Sequence, residues 1–236
     1  MQDYLSLATH LLICISPTRT LSEIVLIKYS ELIKKQAPYL QWLGYLSSTG
    51  VYGDHQGSWV SEESECIPHT VTGVARLKTE QAWFLFAQKH QLPLHSFRLS
   101  GIYGPGRNAL ERLIQGKKHS IFKKHQVFCR IHVEDIVTTL LASTQLPNPL
   151  PIYNVSDDEP VPAHVVDHYA AKLLYRDPLP LIPFSEAELS PMQQEFYANN
   201  RRVSNLKIKR DLHVSLKYPT YKEGLTQIWR NDFERK

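Results

Sequence analysis

With 236 residues, 42% of them apolar, the chain can bury one sizeable core and at most a small appended lobe, because burial grows with size. A net charge of +4 without a basic face interleaved with aromatics excludes a nucleic-acid-binding module, and no run reaches the ~18 apolar residues that a membrane span needs. Three isolated cysteines, Cys14, Cys66 and Cys129, make neither a disulfide framework nor a zinc-ligand set, so no metal is expected and the chain suits a reducing, cytoplasmic compartment.

Residues 4–15 could pass for a targeting segment, but Asp3 precedes them and neither a basic stretch nor a small-residue cleavage site flanks them, so they read as structure. Residues 10–16, H-L-L-I-C-I-S, are a short apolar run stopped by Pro17, the pattern of a parallel strand covered on both faces. Residues 22–36 have helical spacing, with Ile24, Leu26, Ile27, Leu32 and Ile33 on one face and Lys34 and Lys35 near the C-terminal end. Residues 40–47 form a second apolar run, 72–90 predict a long helix and 93–99 a third strand. That repeating order points to a parallel sheet with right-handed crossovers. Beyond Gly104 the elements shorten: a helix over 109–115, a strand over 127–131, and a helix over 133–144 with Val133, Ile136, Val137, Leu140 and Leu141 on one face. A strand over 152–155 follows, and Pro160 and Pro162 open a helix carrying Val165, Val166, Tyr169, Ala170 and Leu173. Residues 176–191, rich in proline, predict an irregular connection. Lys117, Lys118, Lys123 and Lys124 cluster with His119 and His125, either to attract a phosphate or as a solvated basic turn.

Residues 45–53, Y-L-S-S-T-G-V-Y-G, place hydroxyls where an apolar strand ends, and open α/β sheets bind ligands outside the carboxyl ends of their strands. Alone, such a cluster also reads as turn and capping chemistry. It is followed by W-V-S-E-E-S-E-C-I-P, R-L-S-G-I-Y-G-P-G-R, R-I-H-V-E-D-I and I-Y-N-V-S-D-D-E-P-V, and the chain closes with R-V-S-N-L-K-I-K-R-D-L and Y-P-T-Y-K-E-G-L. In order and approximate spacing the series resembles the extended short-chain dehydrogenase/reductase family, the NAD-dependent epimerases and dehydratases.

The resemblance implies an α/β fold: an N-terminally truncated Rossmann-like parallel sheet with a small C-terminal substrate lobe. Residues 1–104 would be a partial NAD(P)-binding region, and 105–236 the rest of the sheet plus the lobe, in one compact unit. It implies an epimerase, dehydratase or oxidoreductase using NAD or NADP on a small molecule, such as a nucleotide sugar, with a homodimer as one assembly. Family members use a Ser or Thr after the strand and a Tyr-x-x-x-Lys pair on the next helix, where a phenol made acidic by an ammonium exchanges a proton with the substrate. Ser48 falls at the hydroxyl position. Alignment on Glu80 puts Thr72 at the tyrosine position and Arg76 at the lysine position; a two-residue slip would offer Lys78 but leave Val74 as the phenol. Threonine is a far weaker acid than a phenol, and arginine keeps the charge but not the shape of lysine. Tyr52 and Tyr103 stand near enough in the motifs to substitute, or to pack.

Ser16, Pro17, Ser47, Arg76, Ser100, Gly101 and Ile102 are the implied cofactor contacts. Tyr52, Tyr103, Arg107 and Arg130 are the implied substrate contacts, with Arg130 suited to a diphosphate or to an ion pair with Glu134. Asp135 reads as a helix-dipole residue, His132 as a core or interface histidine, and Asn154 as a backbone tie at a strand end. The family's G-x-x-G-x-x-G turn, whose amides bind pyrophosphate, does not occur in the chain. The expectation is therefore a missing βαβ portion on the order of 60 residues, through a truncated product, a misassigned start or a partial isoform, and weak or absent cofactor binding. A non-catalytic binding or regulatory protein, or an inactive fragment, stays open beside the enzyme.

Overall fold

The computed structural model describes residues 5–18, 23–146 and 151–232. The first half contains β1 (His10–Ile13), α1 (Ile24–Gln36), β2 (Trp42–Ser48), β3 (Trp59–Val60), α2 (Val71–His90), β4 (Leu94–Leu99) and β5 (Gly101–Tyr103). Next come α3 (Ala109–Ile114), β6 (Ser120–Phe122), β7 (Arg130–His132), α4 (Val133–Thr144), β8 (Ile152–Val155) and α5 (Ala163–Leu173). The chain continues through β9 (Leu181–Pro183), α6 (Pro191–Tyr197), β10 (Arg202–Val203), α7 (Leu206–Asp211) and α8 (Tyr221–Asp232). Strands β1, β2, β4 and β8 pair in that order, every pairing parallel, in a Rossmann-like sheet. Parallel neighbours need crossovers, which is why helix and strand periodicities alternate along the sequence.

Strand β2 shows how seven residues serve two cores. Successive side chains alternate faces. Leu43 and Tyr45 pack with Ile33, Trp83 and Ala87 from α1 and α2, while Trp42 packs with Phe97, Ile136 and Ile208 on the other side. The Trp42 indole lies over Gly44, where an added Cβ would collide with the ring, and its Nε1–H donates to Ser143 Oγ at 3.2 Å. Thr70 caps α2, its Oγ1 accepting the Gly73 N–H at 3.2 Å. Gly73 lets that first turn close on the preceding loop: an added Cβ would stand 2.9 Å from the Gly50 carbonyl oxygen. The start of α2 is thereby pressed against the end of β2.

A buried ion pair fixes α2 on the sheet. Arg98 in β4 donates from Nη2 to Glu80 Oε1 at 2.6 Å, with both side chains almost fully enclosed (5% and 3% exposed). Ser96 Oγ donates to Glu80 Oε2 at 3.1 Å, and the guanidinium sits 4.8 Å above the Tyr52 ring. The C-terminal lobe has its own core of Tyr103, Leu110, Val166, Ala170, Tyr221 and Leu225. Short parallel pairs join it to the sheet domain: β3 with β10 and β5 with β7, with β6–β9 inside the lobe.

Several expectations shift. The first strand stops at Ile13 rather than 16, and it is not covered on both faces among the described residues, since Leu12 is 39% exposed. The expected helix start at Ser22 lies outside the described residues; Glu23 caps the helix, accepting the Leu26 N–H. The strand expected at 127–131 moves to Arg130–His132, where Gly101, Ile102 and Tyr103 supply pairing partners; Phe128 instead bridges to Val161. The stretch 176–191 is not wholly irregular: Leu181–Pro183 pairs with Ser120–Phe122 inside the basic cluster, and as an edge strand paired on one side only it accommodates proline.

Truncating one partner of the buried pair should be costly. Glu80→Ala leaves the Arg98 charge enclosed and unpaired, so urea denaturation should report a loss of about 3–5 kcal/mol. The double replacement Glu80→Leu with Arg98→Met should lose far less; an equal loss would show that packing, not charge, holds the helix.

Candidate functional site

The carboxyl end of β2 is the centre of the site. After Ser48 the chain turns through a 3₁₀ segment, Thr49–Tyr52, with Ser48 Oγ accepting the Gly50 N–H at 3.0 Å. That bond uses a lone pair of the oxygen and leaves its O–H to donate elsewhere. Across from it the first turns of α2 carry Thr72 and Arg76. The Arg76 guanidinium reaches back to the strand ends, donating from Nη1 to the Leu46 carbonyl at 2.9 Å and to Tyr45 OH at 3.3 Å, and from Nη2 to Ser16 Oγ at 2.9 Å. A planar fork can bind three oxygens in this way; a lysine's point charge would not span them.

Three cavities follow one another along the strand ends. The first, about 230 Å³, is lined by Ser16, Pro17, Ser48, Thr72, Gly73 and Arg76. The second, about 260 Å³, shares Ser48 and Thr72 and adds Ser100, Gly101, Cys129, Glu195 and Arg201. Thr72 Oγ1 donates to Glu195 Oε2 at 2.6 Å across this space, and Arg201 is anchored through Nη1 to the Gly53 carbonyl at 2.7 Å. The third, about 820 Å³, shares Gly101, Phe128, Cys129 and Phe196 with the second and brings in Tyr103, Arg107, Arg112, Lys117, Arg130 and Tyr221. Its wall is basic and aromatic.

The two candidate registers on α2 place different side chains at the strand ends. Arg76 points to the strand ends, whereas Lys78 is exposed and lines none of the three cavities. Ser16 and Pro17 join Arg76 in the first cavity; Ser48, Thr72, Ser100 and Gly101 meet in the second. Ile102, Tyr103, Arg107 and Arg130 lie in the third, so Ile102 stands away from the expected cofactor side. Two expected contacts are corrected. Ser47 is buried and lines none of these cavities. Tyr52 is fully enclosed beneath Arg98, donates its O–H to Asn154 Oδ1 at 2.7 Å, and has its phenol pushed up to about 12 by burial. Asn154 therefore ties a side chain across the core through its own amide oxygen. Tyr103 presents its ring to the large cavity but aims its O–H at the Thr220 carbonyl, 3.3 Å away, and burial raises its phenol. The alternative partner for Arg130 is also corrected: Glu134 pairs with Lys217 at 2.6 Å, and Arg130 donates to the Phe128 and Val161 carbonyls at 2.7 and 3.1 Å.

Glu195 and Arg201 escaped sequence reasoning. They lie just beyond the proline-rich stretch and come near Ser48 only through the fold. A signal did exist: S-P-M-Q at 190–193 is a capping box with proline at the first helical position, and the structure contains both of its reciprocal bonds.

The profile of the NAD dependent epimerase/dehydratase family matches residues 30–156. The chain belongs to this family. Over nearly its whole length this epimerase/dehydratase relative is similar to a functionally unknown conserved protein from Silicibacter pomeroyi, at 44% identity and a TM-score of 0.90, covering 96% of this chain and 78% of that one. It shares the fold of dTDP-glucose 4,6-dehydratase from Bacillus anthracis in complex with NAD, at 18% identity and a TM-score of 0.77, with 96% and 74% of the two chains covered. It also shares that of UDP-glucuronic acid 4-epimerase from Bacillus cereus in complex with NAD, at 16% identity and a TM-score of 0.76, with 100% and 78% covered. No curated protein matches the sequence. Among the described residues no helix is long and apolar enough to cross a membrane, and no group of His, Cys, Asp and Glu could hold a metal.

Behind the basic cavity Asp157 adjoins Arg130, its N–H donating to the Arg130 carbonyl at 2.6 Å. Burial pushes its carboxyl up to about 8, against the pull of the Arg130 charge and of the Glu159 and Arg130 backbone amides. The fold thus holds a proton that the unfolded chain releases near pH ~3.9. A raised carboxyl contributes stability below the unfolded value and loses it as pH climbs through the folded one. Stability should therefore fall between about pH 4 and about pH 8, and Asp157→Asn should flatten that fall in urea-midpoint measurements. An unchanged slope would assign the pH dependence to another group.

Proposed function

We propose that the protein is an NAD(P)-dependent epimerase, dehydratase or reductase of nucleotide sugars, working in the cytoplasm. The observation that carries this reading is the succession of three cavities: a polar one at the strand ends with Arg76, a small hydroxyl-lined one, and a large basic one. Arg107, Arg112, Lys117 and Arg130 suit a diphosphate, for which guanidinium forks are matched in shape and charge, and Tyr103 and Tyr221 offer flat walls to a base. The NAD complexes of the Bacillus dehydratase and epimerase are in keeping with it.

The residues present fit the nicotinamide half of a dinucleotide. Arg76 and Ser16 bring a guanidinium and a hydroxyl suited to a ribose into the first cavity, and the buried Ser100 Oγ, without a hydrogen-bond partner among the described residues, stands at the next cavity wall. When bound, the dinucleotide supplies a reversible acceptor for the substrate's hydrogen and electron pair. In this reading Ser48 donates a hydrogen bond to the reacting oxygen, and Thr72 orients a neighbouring group instead of exchanging a proton. The absence of a G-x-x-G-x-x-G turn from these 236 residues supports weak cofactor binding by them alone.

The Thr72 and Arg76 replacements favour a second reading, a binding protein on the same scaffold. Hydride-transfer assays of the full-length protein against UDP-, dTDP- and GDP-sugars separate the two. Catalysis should fall about 10²–10³-fold in Ser48→Ala, the loss typical of one positioned hydrogen-bond donor at a reacting oxygen. A wild type that binds cofactor yet turns over none of the panel would decide for the binding protein. Calorimetry on the full-length protein tests the Arg76 site: Arg76→Ala should weaken cofactor binding by about 1–3 kcal/mol, and an unchanged dissociation constant would return Arg76 to a structural role.

A further inference from the structure

We propose that Glu195 is the proton-exchanging group of this site, a carboxylate supplied by the C-terminal lobe where the family resemblance leads one to expect a phenol from α2. The inference rests on the functional reading above and deepens it. Helix α6 presents Met192, Glu195 and Phe196 to the small cavity, the spacing of one helical face, and Asn199 just beyond its end lines the same space. The helix is held firmly. Phe196 stacks on Phe128 with ring centres 4.8 Å apart, Tyr197 meets the same ring edge-on at 5.1 Å, Lys123 Nζ donates to the Tyr197 carbonyl at 2.6 Å, and Asn199 Nδ2 donates to the Glu195 carbonyl at 2.9 Å.

The Glu195 carboxylate meets Thr72 at the position where α2 offers no phenol. Thr72 is too short to carry a proton-exchanging group into the cavity, but its O–H, 2.6 Å from Glu195 Oε2, orients one that arrives from the opposite wall. Thr72 is then a positioning residue. Ser48 lines the same cavity, so a substrate hydroxyl there lies between a neutral hydrogen-bond donor and an anionic proton acceptor. In the oxidative direction the substrate O–H bond breaks and its proton bonds to the Glu195 carboxylate. The oxygen's electron pair forms the C=O bond, while the C–H hydrogen leaves with its electron pair to the oxidised nicotinamide dinucleotide. The reverse direction returns the proton from the carboxyl group to the oxygen.

Among the described residues, the titratable groups lining this cavity are Glu195, Arg201 and Cys129. Arginine stays charged throughout the working range, although burial lowers the Arg201 value, and burial pushes the Cys129 thiol up.

The test uses the full-length protein with NAD and the nucleotide sugar it turns over best. Glu195→Gln should lower kcat about 10²–10⁴-fold and leave NAD affinity within about twofold; added formate should restore part of the activity to Glu195→Ala. Retained kcat in Glu195→Gln, or no rescue of Glu195→Ala by formate, would overturn the assignment. A second readout does not depend on turnover: the ¹³C carboxyl signal of Glu195, identified by its absence in Glu195→Gln, should move when NAD and UDP-glucose are added. If the wild type turns over no nucleotide sugar, the functional reading fails and proton exchange by Glu195 fails with it. Movement of the carboxyl signal in such a silent protein would make Glu195 a ligand contact only. Activity that depends on Ser48 but not on Glu195 would overturn this inference and leave the functional reading standing.

Discussion

The geometry of the whole site depends on one enclosed charge pair. Arg98 and Glu80 give up their hydration to meet in the core, a trade that repays itself only when the remaining donors and acceptors are also engaged. Ser96 and the face of Tyr52 add to the shell, and Tyr52 in turn is tied to Asn154 on the neighbouring strand. The pair therefore sets the rotation and height of α2 relative to three adjacent pieces of backbone. Arg76 lies one helical turn before Glu80, and Thr72 a further turn before that. Any rotation that took Glu80 off Arg98 would swing both side chains away from the strand ends.

The second constraint is the division of the sheet's side chains between two cores. Tyr45 and Leu43 belong to the helices on one side, and Trp42 and Phe97 to those on the other, so the strand end where they stop is rigid from both faces. The C-terminal lobe approaches this rigid edge through two- and three-residue parallel pairs and through the stacked rings of Phe128 and Phe196. Between a fixed edge and a lobe joined by so few rungs, cavities persist. A larger interface would have filled them with side chains.

Much of the fold was legible because long elements repeat their pattern. The helix over 133–144 and the strand over 152–155 match their observed bounds, and α2 and β4 differ from expectation by a single residue at one end. Two- and three-residue strands such as β3, β6, β9 and β10 have no room to display a period, and their pairing depends on partners 60 or more residues distant for β6–β9 and over 140 for β3–β10. Ser48, at a strand end, and Thr72 and Arg76, on the next helix, were expected to come together, and the structure places them along neighbouring cavities. The site was illegible where the fold assembles it: the Thr72–Glu195 contact spans 123 positions, and no local pattern encodes such a distance. Tyr52 misled for a related reason. Its place in a ligand-side motif says nothing about which way the ring turns, and the demand of a buried guanidinium for a π-face and of Asn154 for a donor turned it inward.

The contact between Arg76 and Tyr45 has an optical consequence. Tyr45 OH accepts from Arg76 on one side, and its ring stacks on Trp83 on the other, with centres 6.3 Å apart and planes 26° from parallel. Trp83 is wholly shielded from solvent. A buried indole two contacts from the Arg76 guanidinium is an intrinsic chromophore whose emission registers the polarity and packing of its surroundings. A displacement of the Arg76 guanidinium reaches this indole through one hydroxyl and one stacked ring.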